Sequence, residues 1–166
     1  MIVCMLGWFR VSVVTGSPQD IAWAIKRLQA RHQRLLGAAL APLGVTLVQW
    51  DALRHMHWHP NASLHDLAQL TYQSDQAFGT LATRMIARGL IERITTPGRA
   101  VRHRVTAEGA ELRARGAAVV DATLAESFNS LPEQDRTTLH RLLYTLLASH
   151  EDGAEGMLPP PAEPRR

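Results

Sequence analysis

Residues 63–106 read SLHDLAQLTYQSDQAFGTLATRMIARGLIERITTPGRAVRHRVT. Ser63 and Asp66 have the spacing of a capping box, which predicts a short helix over 64–70. Ser74 is placed to cap a second helix over 75–88, where Phe78, Leu81, Ala82 and Met85 recur at i, i+3, i+4 and i+7. That stripe must face a core, so Gln76, Ala77, Thr80, Thr83 and Arg84 are left toward solvent or a partner. Gly89 supplies a left-handed stop. Residues 90–95 and 101–105 are β-prone and flank Pro97-Gly98, the signal of a hairpin turn.

A short helix, a turn, a second helix and a basic hairpin predict a winged helix-turn-helix, mainly α with a small β-hairpin wing. From Arg84 to Arg104 stand six arginines (Arg84, Arg88, Arg93, Arg99, Arg102 and Arg104) against the single acid Glu92. Such a cluster is the footprint of a polyanion, and double-stranded DNA is the expected partner. Taken alone, it also fits a solvated arginine-rich surface. The planar fork of arginine suits both base and phosphate contacts. Gln76 could pair with adenine N6 and N7 and Thr80 could touch a thymine methyl, although a solvated helix face accounts equally for both residue types. Arg99, at the hairpin tip, has few structural uses. Arg102 and Arg104 alternate with His103 and so share a strand face, while Arg88 and Arg93 are open to pairing with acids of their own chain. Asp75 reads as a charge favouring the helix dipole, with acceptance from a cytosine amino group as the second reading.

Working outward, Ser17-Pro18-Gln19-Asp20 predicts a helix start. The helix runs to about Leu40 on Ile21, Ala24, Ile25, Leu28, Leu35 and Leu36, and Pro42 and Gly44 stop it. A second helix is expected from near Val45 to before Pro60, with Val48, Ala52 and Met56 inward. Beyond the hairpin, Thr106 caps a long helix carrying Leu112, Val119, Val120, Leu124 and Phe128. Pro132 opens a last helix with Leu139, Leu142, Leu143, Leu146 and Leu147 on one face. The first, fifth and sixth helices hold more apolar surface than a small core can use, which predicts a homodimer rather than a closed monomeric bundle.

The expected organisation is an uncertain leader over 1–16, a single domain over 17–149 and a disordered tail over 150–166. Within the domain, the winged unit spans about 45–106 and terminal dimerisation helices span about 17–41 and 107–149. Apolar residues at 46% and charged residues at 20% fit a globular chain, and aromatics at 5% require a core of Leu, Ala, Val and Ile. The single cysteine, Cys4, excludes an intramolecular disulfide and suits a reducing cytoplasm. The leader MIVCMLGWFRVSVVTG is interrupted by Arg10, is too short to span a bilayer and lacks a secretory cleavage pattern, so no membrane partner is expected.

ARGLIER after an amphipathic helix, then a short arginine hairpin, then VTAEG opening a long helix, resembles the MarR (multiple-antibiotic-resistance regulator) family over about Pro18 to Ser149. The resemblance implies a homodimer whose terminal helices interlock and whose winged units read DNA. It implies a repressor released by a small molecule or an oxidant. The recognition helix becomes 75–88, with Gln76, Ala77 and Thr80 at base-reading positions, Arg84 nearer the phosphates, and its cap Ser74 among the DNA-binding residues. Arg99 becomes the wing-tip arginine of the minor groove, and Arg102 a wing contact. Pro97 stands where the family's wing carries an aspartate. A palindromic operator is expected from two-fold symmetry. Winged folds also serve as protein–protein adaptors, which is the alternative function.

Trp23, Trp50, His57 and Trp58 are candidates for an effector site, where a flat aromatic ligand would fit; ordinary packing is the competing reading. His55 and His59 are spaced to share a helix face, and His65 is near, but partly exposed histidines at a helix end explain them and no metal is expected. Cys4 as a redox sensor has no evident partner. The chain contains no glycine-rich phosphate loop and no G-x-S-x-G elbow. Neither a catalytic set nor a cofactor is expected.

Overall fold

The computed structural model describes residues 16–94 and 101–148. Among them the chain forms α1 (Pro18–Leu40), a 3-10 turn (Ala41–Leu43), α2 (Leu47–Trp58), α3 (Leu64–Leu70), α4 (Asp75–Ala87), β1 (Ile91–Ile94), β2 (Arg102–Val105), α5 (Ala107–Phe128) and α6 (Glu133–Ala148). The fold is mainly helical with one antiparallel strand pair, in which Ile91 stands opposite Val105 and Ile94 opposite Arg102. The leader with Cys4, the Pro97-Gly98 turn with Arg99, and the C-terminal tail lie outside the described residues. No single helix among the described residues is long and apolar enough to cross a membrane.

Two compact units divide between Arg34 and Leu35. In the first, the Ser17 hydroxyl accepts the Asp20 N–H at 3.2 Å and donates to the Asp20 carboxylate at 2.6 Å, which starts α1 as the sequence predicts. Ile21, Trp23, Ile25 and Leu28 are exposed on this helix, Trp23 by 61%. The lysine of Lys26 lies 5.2 Å from the Trp23 ring.

The second unit is built around Leu40, Leu53, Leu67, Phe78, Met85, Leu90 and Ile91, all fully buried. Each such side chain contributes about 1.5–3 kcal/mol by leaving water. α2 departs from expectation at its start. Val45 is buried but precedes the helix, and Val48, expected inward, is 46% exposed. The cause is a capping box between Thr46 and Gln49, which fixes the first turn so that Gln49, Trp50, Ala52, Leu53 and Met56 face the core. Gln49 tolerates burial because its Oε1 accepts from the Thr46 N–H at 3.2 Å and from Arg88 Nη1 at 3.0 Å.

α5 begins at a tight joint. The Thr106 hydroxyl accepts the Gly109 N–H at 3.1 Å and lies 2.6 Å from the Gly89 carbonyl and 3.1 Å from that of Leu90. The Thr106 N–H also donates to Leu90 O at 3.1 Å. Gly89 adopts φ +70°, the left-handed stop the sequence predicts for α4. At Gly109 any Cβ would overlap the Leu90 carbonyl oxygen. Two helical turns farther, Trp50 rests on Gly116 and its indole N–H donates to Arg113 O at 3.1 Å. α6 has no buried residue; Leu142, Leu146 and Leu147 are open to solvent.

Candidate nucleic-acid interface

The helix-turn-helix is set by three local devices. Ser63 and Asp66 close a reciprocal capping box at the start of α3, and the Ser63 N–H and hydroxyl hold the Asp66 carboxyl below the usual carboxylate range. Ser74 caps α4 by accepting the Ala77 N–H at 3.2 Å. Between the helices, Thr71 donates its hydroxyl to Leu67 O at 2.7 Å, and the Gln73 N–H donates to Ala68 O at 2.8 Å. A fourth contact crosses the turn: His65 Nδ1 of α3 lies 3.0 Å from the Asp75 carboxylate of α4. Asp75 thus has a partner within its own motif, consistent with a charge that supports the helix start.

Phe78, Ala82 and Met85 bury the back of α4, with Leu81 half-buried beside them. Ser74, Gln76, Ala77, Thr80 and Arg84 are all exposed, so the predicted reading residues lie on the open front of α4 and at its cap. Thr80 donates its hydroxyl to Gln76 O at 3.0 Å. That bond turns the oxygen back onto the helix and leaves the methyl as its outward chemistry.

On the wing, Arg102 and Arg104 are exposed on one strand face and His103 is buried on the other, as alternation predicts. Burial, then the charge of Arg93, holds the His103 imidazole below its ordinary range. The partners of the arginines differ from expectation. Arg104, not Arg88 or Arg93, takes an acid: its Nε lies 2.7 Å and its Nη2 2.6 Å from Glu92 Oε1, directly across the strand pair. Arg88, the residue that ends α4, reaches the neutral amide of Gln49 in the first turn of α2. Arg102 donates to the backbone carbonyl of Asn61, tying β2 to the loop after α2.

The effector candidates are dispersed. Trp23 belongs to the first unit and Trp50 is a core residue bonded to α5. His57 is exposed and Trp58 half-buried on α2. The sequence reading missed Arg54, whose guanidinium lies 5.4 Å from the Trp50 ring and 4.7 Å from that of Trp58. The W-x3-R-x3-W spacing, which stacks three side chains on one helix face, was the available signal. Asp51 pairs with Arg54 at 2.6 Å. His55 stands edge-on to Trp58 at 5.8 Å and parallel to His59 at 6.2 Å, and burial outweighs Asp51 in lowering its pKa. Arg54 Nε and His55 Nδ1 are buried without a hydrogen-bond partner among the described residues. No group of three or more His, Cys, Asp or Glu side chains among those residues could hold a metal ion. Tyr72 was also missed: it projects from the turn between α3 and α4, 82% exposed, at φ 54°.

Residues 43–100 match the model of the MarR family. The HTH-type transcriptional repressor Rv2887 of Mycobacterium tuberculosis is 29% identical over 128 residues, which cover 76% of this chain and 92% of that protein. The crystal structure of Rv2887 in complex with p-aminosalicylic acid aligns with a TM-score of 0.67 at 28% identity, covering 76% of this chain and 97% of that one. A mutant of MarR from E. coli, complexed with operator DNA, aligns with a TM-score of 0.70 at 22% identity, covering 76% and 93% of the two chains. At that identity the last likeness concerns the fold alone.

Proposed function

We propose that this chain, which is similar to the MarR family over residues 43–100 and to the repressor Rv2887 at 29% identity, is a cytoplasmic transcriptional repressor that binds a palindromic operator as a homodimer. The observation carrying this reading is the front of α4: an exposed polar face of Gln76, Ala77, Thr80 and Arg84, backed by buried Phe78, Ala82 and Met85. Such a helix is shaped to lie in a major groove with its N-terminal residues at the base edges. Gln76 pairs with adenine, the Thr80 methyl meets thymine, and Arg84 neutralises a phosphate. Ser74 orients the helix start, while Arg102 and Arg99 bring the wing to the backbone. Residues 17–41 and 107–149 form the dimerisation platform and 45–106 the reading unit. On α1, and separately on α6, the exposed apolar residues offer surface that a second copy would cover.

The relative crystallised with p-aminosalicylic acid suggests an aromatic carboxylate as releasing ligand. On α2, Arg54 offers the cation, and Trp58 and His57 the flat and polar walls; Trp23 and Trp50 are the remaining candidates. A ligand lowers operator affinity only by its preference for the unbound spacing of the two reading units.

The test is selection of genomic fragments by the purified protein. The expected result is an imperfect palindrome whose half-sites lie about 34 Å apart, one helical turn. One observation favours a protein adaptor instead: Arg104 and Arg102 both have partners within the chain, which lowers the wing's free charge. Failure to shift any duplex in dilute buffer would support the adaptor.

A further inference from the structure

The turn between α3 and α4 holds a residue that folding does not require. Thr71 and Gln73 are half-buried and bonded back onto α3, and Gln73 Nε2 also donates to Thr71 Oγ1 at 3.0 Å. Tyr72, between them, is 82% exposed, and its ring and hydroxyl have no partner among the described residues. Its backbone sits at φ 54°, with the N–H bonded to Gln69 O at 3.0 Å. Glycine or asparagine adopts that left-handed geometry with less strain than an aromatic residue. The strain is therefore kept for a side chain that the protein itself does not use. The position is two residues before the Ser74 cap of α4. When a helix of this kind enters a major groove, the turn before it and the end of the preceding helix lie over the flanking backbone.

Resting on the DNA-binding reading, we propose that Tyr72 is a duplex-backbone contact, its phenol O–H donating to a phosphate oxygen at the lip of the groove that α4 enters. Tyrosine is among the residues that make such contacts, and they fix register without reading sequence. The contact would anchor the N-terminal end of α4, where the base-reading residues are concentrated. A phenol carries no charge and displaces no counterion, so its loss lowers affinity without changing the salt dependence.

The experiment compares wild type, Tyr72→Phe, Tyr72→Asn and Arg84→Ala on a short mixed-sequence duplex across a salt series, with melting temperatures alongside. The expected result for Tyr72→Phe is about ten-fold weaker binding for each protomer engaged, an unchanged salt slope and an unchanged melting temperature. Tyr72→Asn should bind at least as weakly while melting no lower than wild type. Wild-type affinity in both tyrosine variants, with Arg84→Ala weakened, would overturn the proposal and leave DNA binding standing. Loss of affinity in Tyr72→Asn alone would replace the phosphate bond by a ring contact and overturn it as stated. A wild-type protein that binds no duplex at any salt would bring down both readings.

Discussion

Replacing Gly116 by alanine tests the seat of Trp50 on α5. The added Cβ would fall 2.5 Å from Trp50 Nε1 and 3.3 Å from Leu40 Cδ2. Both neighbours are buried, so the indole has no open space to move into. Forcing a carbon into a filled core costs about 1–3 kcal/mol. Tilting the indole away from the Arg113 carbonyl costs about 1 kcal/mol more. The helix itself gains about 1 kcal/mol by exchanging glycine for alanine. The balance is roughly 2 kcal/mol of lost stability, or a melting temperature lower by about 4–8 °C for a chain of this size. Circular dichroism melts at one fixed protein concentration would read it, since a dimer's midpoint depends on concentration. Gly79, on α4, has nothing within 4 Å of its hypothetical Cβ, so Gly79→Ala should shift the melt upward. In a Trp50→Ala background, where the ring atoms that meet the new Cβ are absent, the Gly116→Ala cost should fall below about 1 kcal/mol. If Gly116→Ala instead tracked Gly79→Ala, gaining stability in both backgrounds, the packing of α2 on α5 described above would be wrong.

Three further outcomes are expected. Burial holds the imidazoles of His103 and His55 below the ordinary histidine range, so the folded chain binds fewer protons than the unfolded one. Their contribution is complete above about pH 6.5 and is lost as the pH falls through the lowered values, so the urea midpoint should drop between about pH 7.5 and about pH 5.5; a constant midpoint would contradict the burial of both rings. Glu92→Gln releases Arg104 from its carboxylate and removes an anion from the wing. Stability should change by less than about 0.5 kcal/mol, because both partners are exposed, while the log–log salt slope of DNA binding steepens by about one; weaker binding would show that Glu92 orients Arg104 rather than masking it. Arg84→Ala should weaken binding to every sequence and flatten the salt slope, whereas Gln76→Ala should cost about 1–3 kcal/mol at a single base position, as competition with point-mutated operators would reveal. Uniform loss in both variants would remove Gln76 from base reading.

The reading unit was legible because its signals are local. Ser63 with Asp66, Ser74, Gly89 and Thr106 each act within a few residues, and the stripe of Phe78, Ala82 and Met85 leaves one orientation for α4. The start of α2 was not recovered because Val45 and Val48 resemble a continuing apolar stripe, and the polar Gln49 resembles surface. Only the bonds from Thr46 and Arg88 make Gln49 an interior residue. Partners of the basic residues were equally hidden. Arg88 with Gln49, Arg102 with Asn61 and Arg104 with Glu92 join segments that the sequence separates, and residue type favours any nearby acid. Tyr72 escaped notice because a left-handed turn residue is expected to be glycine or asparagine.

The clasp of Thr106 on Gly89 and Leu90 has a mechanical consequence. Where the end of α4 meets the start of α5 there is no slack, since the Thr106 hydroxyl, shared between the Gly89 and Leu90 carbonyls, and the Thr106 N–H fasten the junction and Gly109 leaves no room for the two backbones to slide. The two helices therefore behave as arms of a crank with a welded elbow. A tilt imposed on the long arm must reappear as a swing of the short one.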